Sequence, residues 1–125
     1  MPAQVSILNR KVLTNAGTCT WYSDAMNWTG YKRADVTLQV HGLNTDNTAA
    51  LTFEGTPEPG ENAVWTTIAA DSSYSDPSVL ATTGVNKYVR VNNLYPYMRV
   101  KVTIGGTGTL KLAEVSVAGQ LLEYS

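Results

Sequence analysis

The chain has one cysteine, one histidine and one phenylalanine among its 125 residues, and each scarcity excludes a class of structure or chemistry. Cys19 has no partner for a disulfide within the chain. Cys19 and His41 together are too few for a structural zinc site, which takes four such ligands. Nucleophilic catalysis needs a base, and the single histidine lies at the polar end of a predicted strand. We therefore expect no enzyme activity, no metal and no cofactor.

Charge is scarce as well. Charged residues make up 15% of the chain and the formal net charge is -1, whereas a nucleic-acid-binding surface needs a local excess of basic residues. No apolar run reaches membrane-spanning length, and no basic and apolar leader opens the chain. We expect neither a nucleic acid nor a membrane as partner, and we expect synthesis in a cytoplasm without export by a signal peptide.

The residues that are abundant favour β-structure. The chain contains 16 threonines and 13 valines, which fit half-buried pleated strands. Apolar and polar side chains alternate strictly from Met98 to Ile104, so this stretch predicts a strand with one buried face. Gly105–Gly108 then supplies a turn, and a second alternating run begins at Thr109. We interpret the whole segment as an antiparallel hairpin.

Further strands are separated by turns at a spacing near a dozen residues. In the clearest of them, Val36, Leu38 and Val40 face one side, and the polar residues between them face the other. This spacing predicts an all-β fold, an antiparallel β-sandwich that forms a jelly roll of eight or nine strands, in a single domain over residues 1–125. The predicted strands cover 4–14, 18–22, 34–41, 49–55, 63–70, 87–91, 97–104, 109–117 and 120–124.

Two stretches depart from simple alternation. The apolar phase shifts between Leu112 and Val115, which predicts a β-bulge near Ala113. Ser23–Trp28 has no period of two, and a short helix capped by Ser23 is an alternative to a loop there.

Two acidic patterns offer alternatives to a purely structural role. Glu54 and Glu114 both lie on predicted strands and are a possible carboxylate pair for hydrolysis, although chance pairing explains them better. The loop 71–76 has carboxylate and carbonyl oxygens suited to Ca²⁺ but lacks the spacing of a calcium loop. Neither pattern is specific enough to predict a site.

Aromatic side chains at loops are the candidate contact residues. Tyrosine and tryptophan anchor protein interfaces, and exposed rings also stack on sugars. We assign Trp21 and Trp65 to the core of a chain with only one phenylalanine. Residues 1–8 are a candidate N-terminal interacting arm. The predicted protein-interface residues are Trp28, Tyr31, Tyr95, Tyr97 and Tyr124.

Four segments occur in an order that resembles a known group of proteins. They are Phe53–Gly55, Val64–Thr66 after a Pro/Gly loop, Tyr88–Val91, and Met98–Thr103 before the glycine-rich tip. This order is similar to that of small jelly-roll or sandwich virion proteins of tailed bacteriophages, over roughly 36–117. The same hairpin pattern also looks like discoidin-type and carbohydrate-binding modules.

The resemblance implies a function and partners. Proteins of this group decorate or cement the capsid or form spikes, fibres and tail components, often as trimers. It implies a capsid decoration or cement protein on the virion surface, made in the host cytoplasm, with the major capsid protein or another virion protein as partner and a homo-oligomeric state. The alternative is a carbohydrate-binding module or a receptor-binding fibre or tail domain. The region 71–84 is longer than is usual in the group, so no functional residue is carried over.

Overall fold

A computed structural model describes residues 3–76, 79–80 and 83–124. Every regular element in these residues is a β-strand, so the helical alternative for Ser23–Trp28 is wrong. The strands are β1 (Ala3–Asn15), β2 (Cys19–Tyr22), β3 (Met26–Asn27), β4 (Arg33–Leu43), β5 (Asn47–Thr56), β6 (Thr66–Ile68), β7 (Val79–Leu80), β8 (Val85–Asn92), β9 (Tyr97–Gly106) and β10 (Lys111–Leu122).

The strands form two antiparallel sheets. The first sheet has the order β1-β10-β4-β8, and the second has the order β2-β9-β5-β6. The short strand β3 pairs with β9 beyond β2, and β7 pairs with β5 beyond β6. The ten strands therefore fill eight positions, four in each sheet, in the order of a double-sheet jelly roll. The predicted all-β sandwich is confirmed.

The predicted hairpin over 98–112 is wrong, because its two strands lie in different sheets. β9 pairs along its whole length with β5, whereas β10 pairs with β1 and β4. The glycine-rich tip therefore carries the chain from one sheet to the other. Gly106 has a φ of 100°, and a Cβ there would collide with the carbonyl oxygen of Asp46. Alternation in the sequence fixed which side chains face inward, but it carries no information on which strand lies alongside.

The core lies between the two sheets and follows the period of two. Met98, Val100, Val102 and Ile104 on β9 are fully buried and face the inward side chains of the first sheet. Burial of each of these side chains contributes about 2 kcal/mol to the free energy of folding, so the alternating runs stabilise the sandwich. The first sheet contributes Ala34, Val36, Leu38, Val40, Val89, Val91, Ala113, Val115 and Val117 to the same core.

β10 lies between two irregular neighbours. Its pairing with β4 shifts between Glu114 and Val115, close to the predicted bulge, but the extra residue is His41 on β4. The bulge predicted near Ala113 in β10 itself is wrong, because Ala113, Val115 and Val117 are buried in regular alternation and Leu112 is exposed. The pairing of β10 with β1 also shifts, near Arg10, which has a φ of 41°. The predicted interacting arm over residues 1–8 is, from Ala3 onward, part of this edge strand; residues 1 and 2 lie outside the described residues.

The chain between β6 and β7 leaves the second sheet and covers the edge of β8. We call residues 69–76 the β8 cover. The amides of Asp71 and Asp76 donate to the carbonyls of Arg90 and Tyr88 at 2.8 and 2.9 Å. In return, the amides of Tyr88 and Arg90 donate to the Asp76 carboxylate and the Ser75 hydroxyl. The cover thus satisfies the backbone of an edge that would otherwise be open to another strand.

Candidate functional site: an arginine and tyrosine groove

Polar side chains gather where β4 and β8 run side by side. Asp35 pairs with Arg90, and Arg33 pairs with Asn92, in the antiparallel register of these strands. The residues between them, such as Ala34 and Val91, are buried in the core. Because side chains alternate along a strand, the polar set faces out of the sandwich. The register therefore builds a continuous polar surface from two strands that are distant in sequence.

Asp35 joins the two arginines. Its carboxylate accepts hydrogen bonds from Nη2 of Arg33 and Nε of Arg90, both at 3.0 Å. Asp35 is 7% exposed, so these ionic hydrogen bonds form in a poorly hydrated place where they are strong. Nη2 of Arg90 also donates to the hydroxyl of Tyr88. Burial, followed by the hydrogen bond with Asp35, raises the pKa of Tyr88, so this phenol stays protonated.

Two tyrosine rings lie against the two guanidinium groups. The Tyr74 ring centroid is 4.5 Å from Cζ of Arg90, and the Tyr124 centroid is 5.4 Å from Cζ of Arg33. Such contacts are cation–π interactions. Tyr74 and Tyr124 remain 59% and 61% exposed, so each ring also presents a large apolar area to solvent.

These groups border a groove of about 540 Å³ that we call the Arg33 groove. Its volume is within the range of small-molecule sites. Nδ2 of Asn92 donates to Asp71 across its floor at 3.0 Å. Nε of Arg33 is buried and has no hydrogen-bond partner among the described residues. The groove is lined by Tyr31, Lys32, Arg33, Asp71, Tyr74, Arg90, Asn92, Asn93 and Leu94.

The five residues predicted as contacts lie in four places. Tyr31 lines the Arg33 groove and Tyr124 stacks at its border. Tyr95 lies elsewhere, in a shallow depression with Val64, which is 77% exposed. Tyr97 is half-buried at the start of β9. The structure brings together only two of the five.

Trp28 is corrected from a contact residue to a core residue. Its side chain is 3% exposed and belongs to the hydrophobic core. Trp65, which we assigned to the core, is half-buried, and its ring is 4.4 Å from Cζ of Arg99. Trp21 packs partly buried against the core. A core with one phenylalanine does use a tryptophan as a large filler, but it uses the one from the loop after β3.

A second arginine and aromatic cluster lies on the other sheet. Cζ of Arg99 is 4.4 Å from the rings of both Tyr22 and Trp65, and its guanidinium donates to Glu54 at 2.7 Å. We call these four residues the Arg99 stack. Glu114 pairs instead with Arg10 on the first sheet. The two glutamates are thus held on different sheets by different arginines, which removes the hydrolytic carboxylate pair.

The other chemical alternatives are used in local structure. Nε2 of His41 is 2.8 Å from the Ser116 hydroxyl, which also accepts the amide of Arg10, so this histidine joins the irregular stretches of β4 and β1. Asp71 accepts hydrogen bonds from the Ser73 amide and from Asn92 within the β8 cover region. In the described parts of the chain, no three histidine, cysteine or acidic side chains are grouped to hold a metal ion.

A second cavity, of about 570 Å³, lies between the sheets beneath the β8 cover. Lys87 reaches it from β8 and is 1% exposed. Burial lowers the pKa of Lys87, and the charge of Asp76 opposes that shift. The sequence analysis did not predict Lys87 as an inward residue. The sequence does carry a signal for it, since Lys87 is in phase with the inward Val89 and Val91.

The groove residues Arg33, Asp35 and Arg90 were also missed. The alternation around Val36 predicted which side chains of β4 face outward. The pairing of Asp35 with Arg90 could not be predicted, because the two residues are 55 positions apart and no local rule sets the register of their strands.

Comparison with known proteins supports the fold. No protein-family model matches the sequence, and no curated protein is similar to it. A chain in the structure of infectious bursal disease virus, Gx strain, superposes with a TM-score of 0.60 at 12% identity. The match covers 98% of this chain and 33% of the viral chain, so this chain spans about a third of the viral one. At 12% identity, this match shows that the two chains share a β-sandwich fold.

The described residues form no helix that is long and apolar enough to span a bilayer.

Proposed function

We propose that this chain is a non-enzymatic structural protein of a virion. The observation that carries the proposal is the eight-position jelly roll, which superposes over nearly its whole length on a chain of a virus structure. A fold alone does not fix a function, and the surface chemistry is the second support. Carboxylate and guanidinium groups take part in catalysis in other proteins. At the Arg33 groove they are hydrogen-bonded to each other, since Asp35 accepts hydrogen bonds from Arg33 and Arg90.

In finer detail, we propose a capsid decoration or cement protein of a tailed-phage head, made in the host cytoplasm. Such a protein works passively, because each copy covers a modest patch of the shell and an oligomer engages several patches at once. The contact surfaces are the Arg33 groove with Tyr31 and Tyr124, and the depression around Tyr95. Tyrosine and arginine are the residue types that most often dominate interface energies. A homotrimer fits this mode of attachment.

The test is co-sedimentation of the purified chain with undecorated phage heads. We expect saturable binding and a trimer by mass photometry. Tyr124→Ala should weaken the binding, whereas Tyr22→Ala, which removes a partly exposed ring from the Arg99 stack, should not. A monomer that never co-sediments with heads at any concentration would contradict the decoration role.

The second candidate is a saccharide-binding or receptor-binding domain of a virion. A specific observation favours it, because the Arg33 groove combines the rings of Tyr31 and Tyr74 with Asp71 and the neighbouring asparagines. Planar rings beside amide and carboxylate groups are typical of sites that hold sugars.

A further inference from the structure

We propose that the Arg33 groove binds a saccharide that carries a carboxylate. The ring face of the sugar would pack on the exposed tyrosines, and its carboxylate would meet the guanidinium edges. This inference rests on the second candidate function and names the ligand class for that site.

The rings supply the apolar contact. Tyr74 and Tyr124 each lie against a guanidinium and still expose more than half of their surface. Rings fixed by an arginine lose little further side-chain freedom when a ligand packs on them, so binding costs less entropy. Pyranose rings have C–H faces that suit a flat aromatic surface. The two tyrosines flank the groove from the β8 cover and from the C-terminal segment.

The charges select an acidic ligand. The groove lining has three cations, Lys32, Arg33 and Arg90, and one carboxylate, Asp71, with Asp35 directly beneath. The local balance of these five groups is therefore positive. A guanidinium presents several donors in a fork that fits a carboxylate, and of the donors of the two arginines Asp35 accepts only from Nη2 of Arg33 and Nε of Arg90.

Asp35 prepares the site for the ligand. It bonds Arg33 and Arg90 through its two oxygens, so both guanidinium groups are fixed before anything binds. A fixed pair of donors loses less freedom on binding than two free arginines would. Asn92 is held in the same way by Asp71.

The backbone argues against an extended peptide in this place. Peptides often bind by adding a strand to an open sheet edge. The nearest edge is that of β8, and the β8 cover already bonds the amides and carbonyls of Tyr88 and Arg90. A ligand of the groove therefore contacts the side chains of a sheet face. Saccharides are recognised through contacts of this kind.

The test compares matched ligands by titration calorimetry. Sialyllactose is set against lactose, and oligogalacturonate against its methyl ester, so that each pair differs in the carboxylate or in the residue that carries it. We expect the acidic member to bind about tenfold tighter, and we expect this preference to weaken as salt is raised. A polyglutamate peptide of similar charge serves as the peptide probe and should not bind.

Variants identify the site. Tyr74→Ala and Tyr124→Ala should each weaken binding of the acidic saccharide about tenfold, with only a small change in thermal unfolding because both rings are exposed. Tyr22→Ala, at the other arginine stack, should leave it unchanged. Equal binding of acidic and neutral members would overturn the acidic preference and keep the saccharide site. Absence of binding by every saccharide would overturn both, and binding of polyglutamate at the same tyrosines would replace the saccharide by a protein partner.

Discussion

Removing the Asp35 carboxylate is the most direct test of how the groove is built. Asp35→Ala takes away the shared acceptor of Arg33 and Arg90 and leaves two guanidinium groups facing each other across adjacent strands. The Arg33 and Asp35 side chains are 14% and 7% exposed, so solvent can replace little of what is lost. We expect the variant to be both less stable and unable to hold the groove in shape.

The size of the effect follows from burial. Breaking a buried ion pair by removing one partner costs about 3–5 kcal/mol, because a charge is left without compensation. The partial exposure of both arginines places Asp35→Ala at the lower end, about 3 kcal/mol. The matched control is Glu114→Ala, which also removes one ion-paired carboxylate of the same sheet. Its partner Arg10 is 64% exposed, and such surface pairs contribute only about 0.5 kcal/mol.

The assay is equilibrium unfolding in urea, followed by tryptophan fluorescence. With a slope of about 1.5 kcal/mol per molar urea, a loss of 3 kcal/mol lowers the midpoint by about 2 M, and the control should shift it by less than about 0.5 M. Asp35→Asn, which keeps the shape but loses the charge, should fall between the two. If Asp35→Ala and Glu114→Ala were equally stable, Asp35 would not be the group that fixes the arginines.

Three further predictions concern Lys87, Gly119 and Trp28, and the last two have matched controls. Burial lowers the pKa of Lys87, so between that lowered value and the ordinary 10.5 the unfolded chain binds more protons than the folded one. The stability of the wild type, measured by urea unfolding, should therefore rise with pH over this range, and Lys87→Met should lack that rise. Gly119→Ala should cost about 3 kcal/mol in the same assay, since its Cβ would collide with the backbone of β4, whereas Gly17→Ala, in open space, should cost less than about 0.5 kcal/mol. Trp28→Ala should cost about 4 kcal/mol and Trp65→Ala about 1 kcal/mol by thermal unfolding, and equal losses would contradict the buried position of Trp28.

Much of the fold was predictable because it depends on local alternation. The inward phase of β4, β8 and β9 follows from single stretches of sequence, and the number and spacing of strands favoured a jelly roll. The pairing was not predictable in the same way. β9 and β10 are joined by a tight glycine-rich tip like that of a hairpin, yet Gly106 and its neighbours pass between sheets because β5 and β4 are the pairing partners.

The tryptophans show a different limit. Trp28 and Trp65 both lie next to short strands, and neither is part of a long alternating run. Which one turns inward depends on where the space in the core lies, and that space is set by residues from both sheets. The composition correctly predicted that a tryptophan occupies the core, but it did not indicate that this residue is Trp28 rather than Trp65.

The candidate site was predictable only at its rim. Tyr31 and Tyr124 were selected as aromatic residues in a loop and in the C-terminal segment, and both border the groove. The centre of the site depends on Asp35 meeting Arg90, which requires the register of two strands far apart in the sequence. Charged residues on an outward face usually belong to a solvated surface, so no local feature marked these as a cluster.

The two arginine clusters differ in what they can still bind. In the Arg99 stack, one guanidinium contacts the rings of Tyr22 and Trp65 and donates through two nitrogens to Glu54. That arginine is already well satisfied by its own chain. In the Arg33 groove, each guanidinium contacts one ring, the two share one carboxylate, and Nε of Arg33 lacks a partner among the described residues. Tyr74 and Tyr124 are also more exposed than Tyr22, so the groove presents more ring area to a ligand than the stack does. We therefore expect a partner at the Arg33 groove rather than at the Arg99 stack.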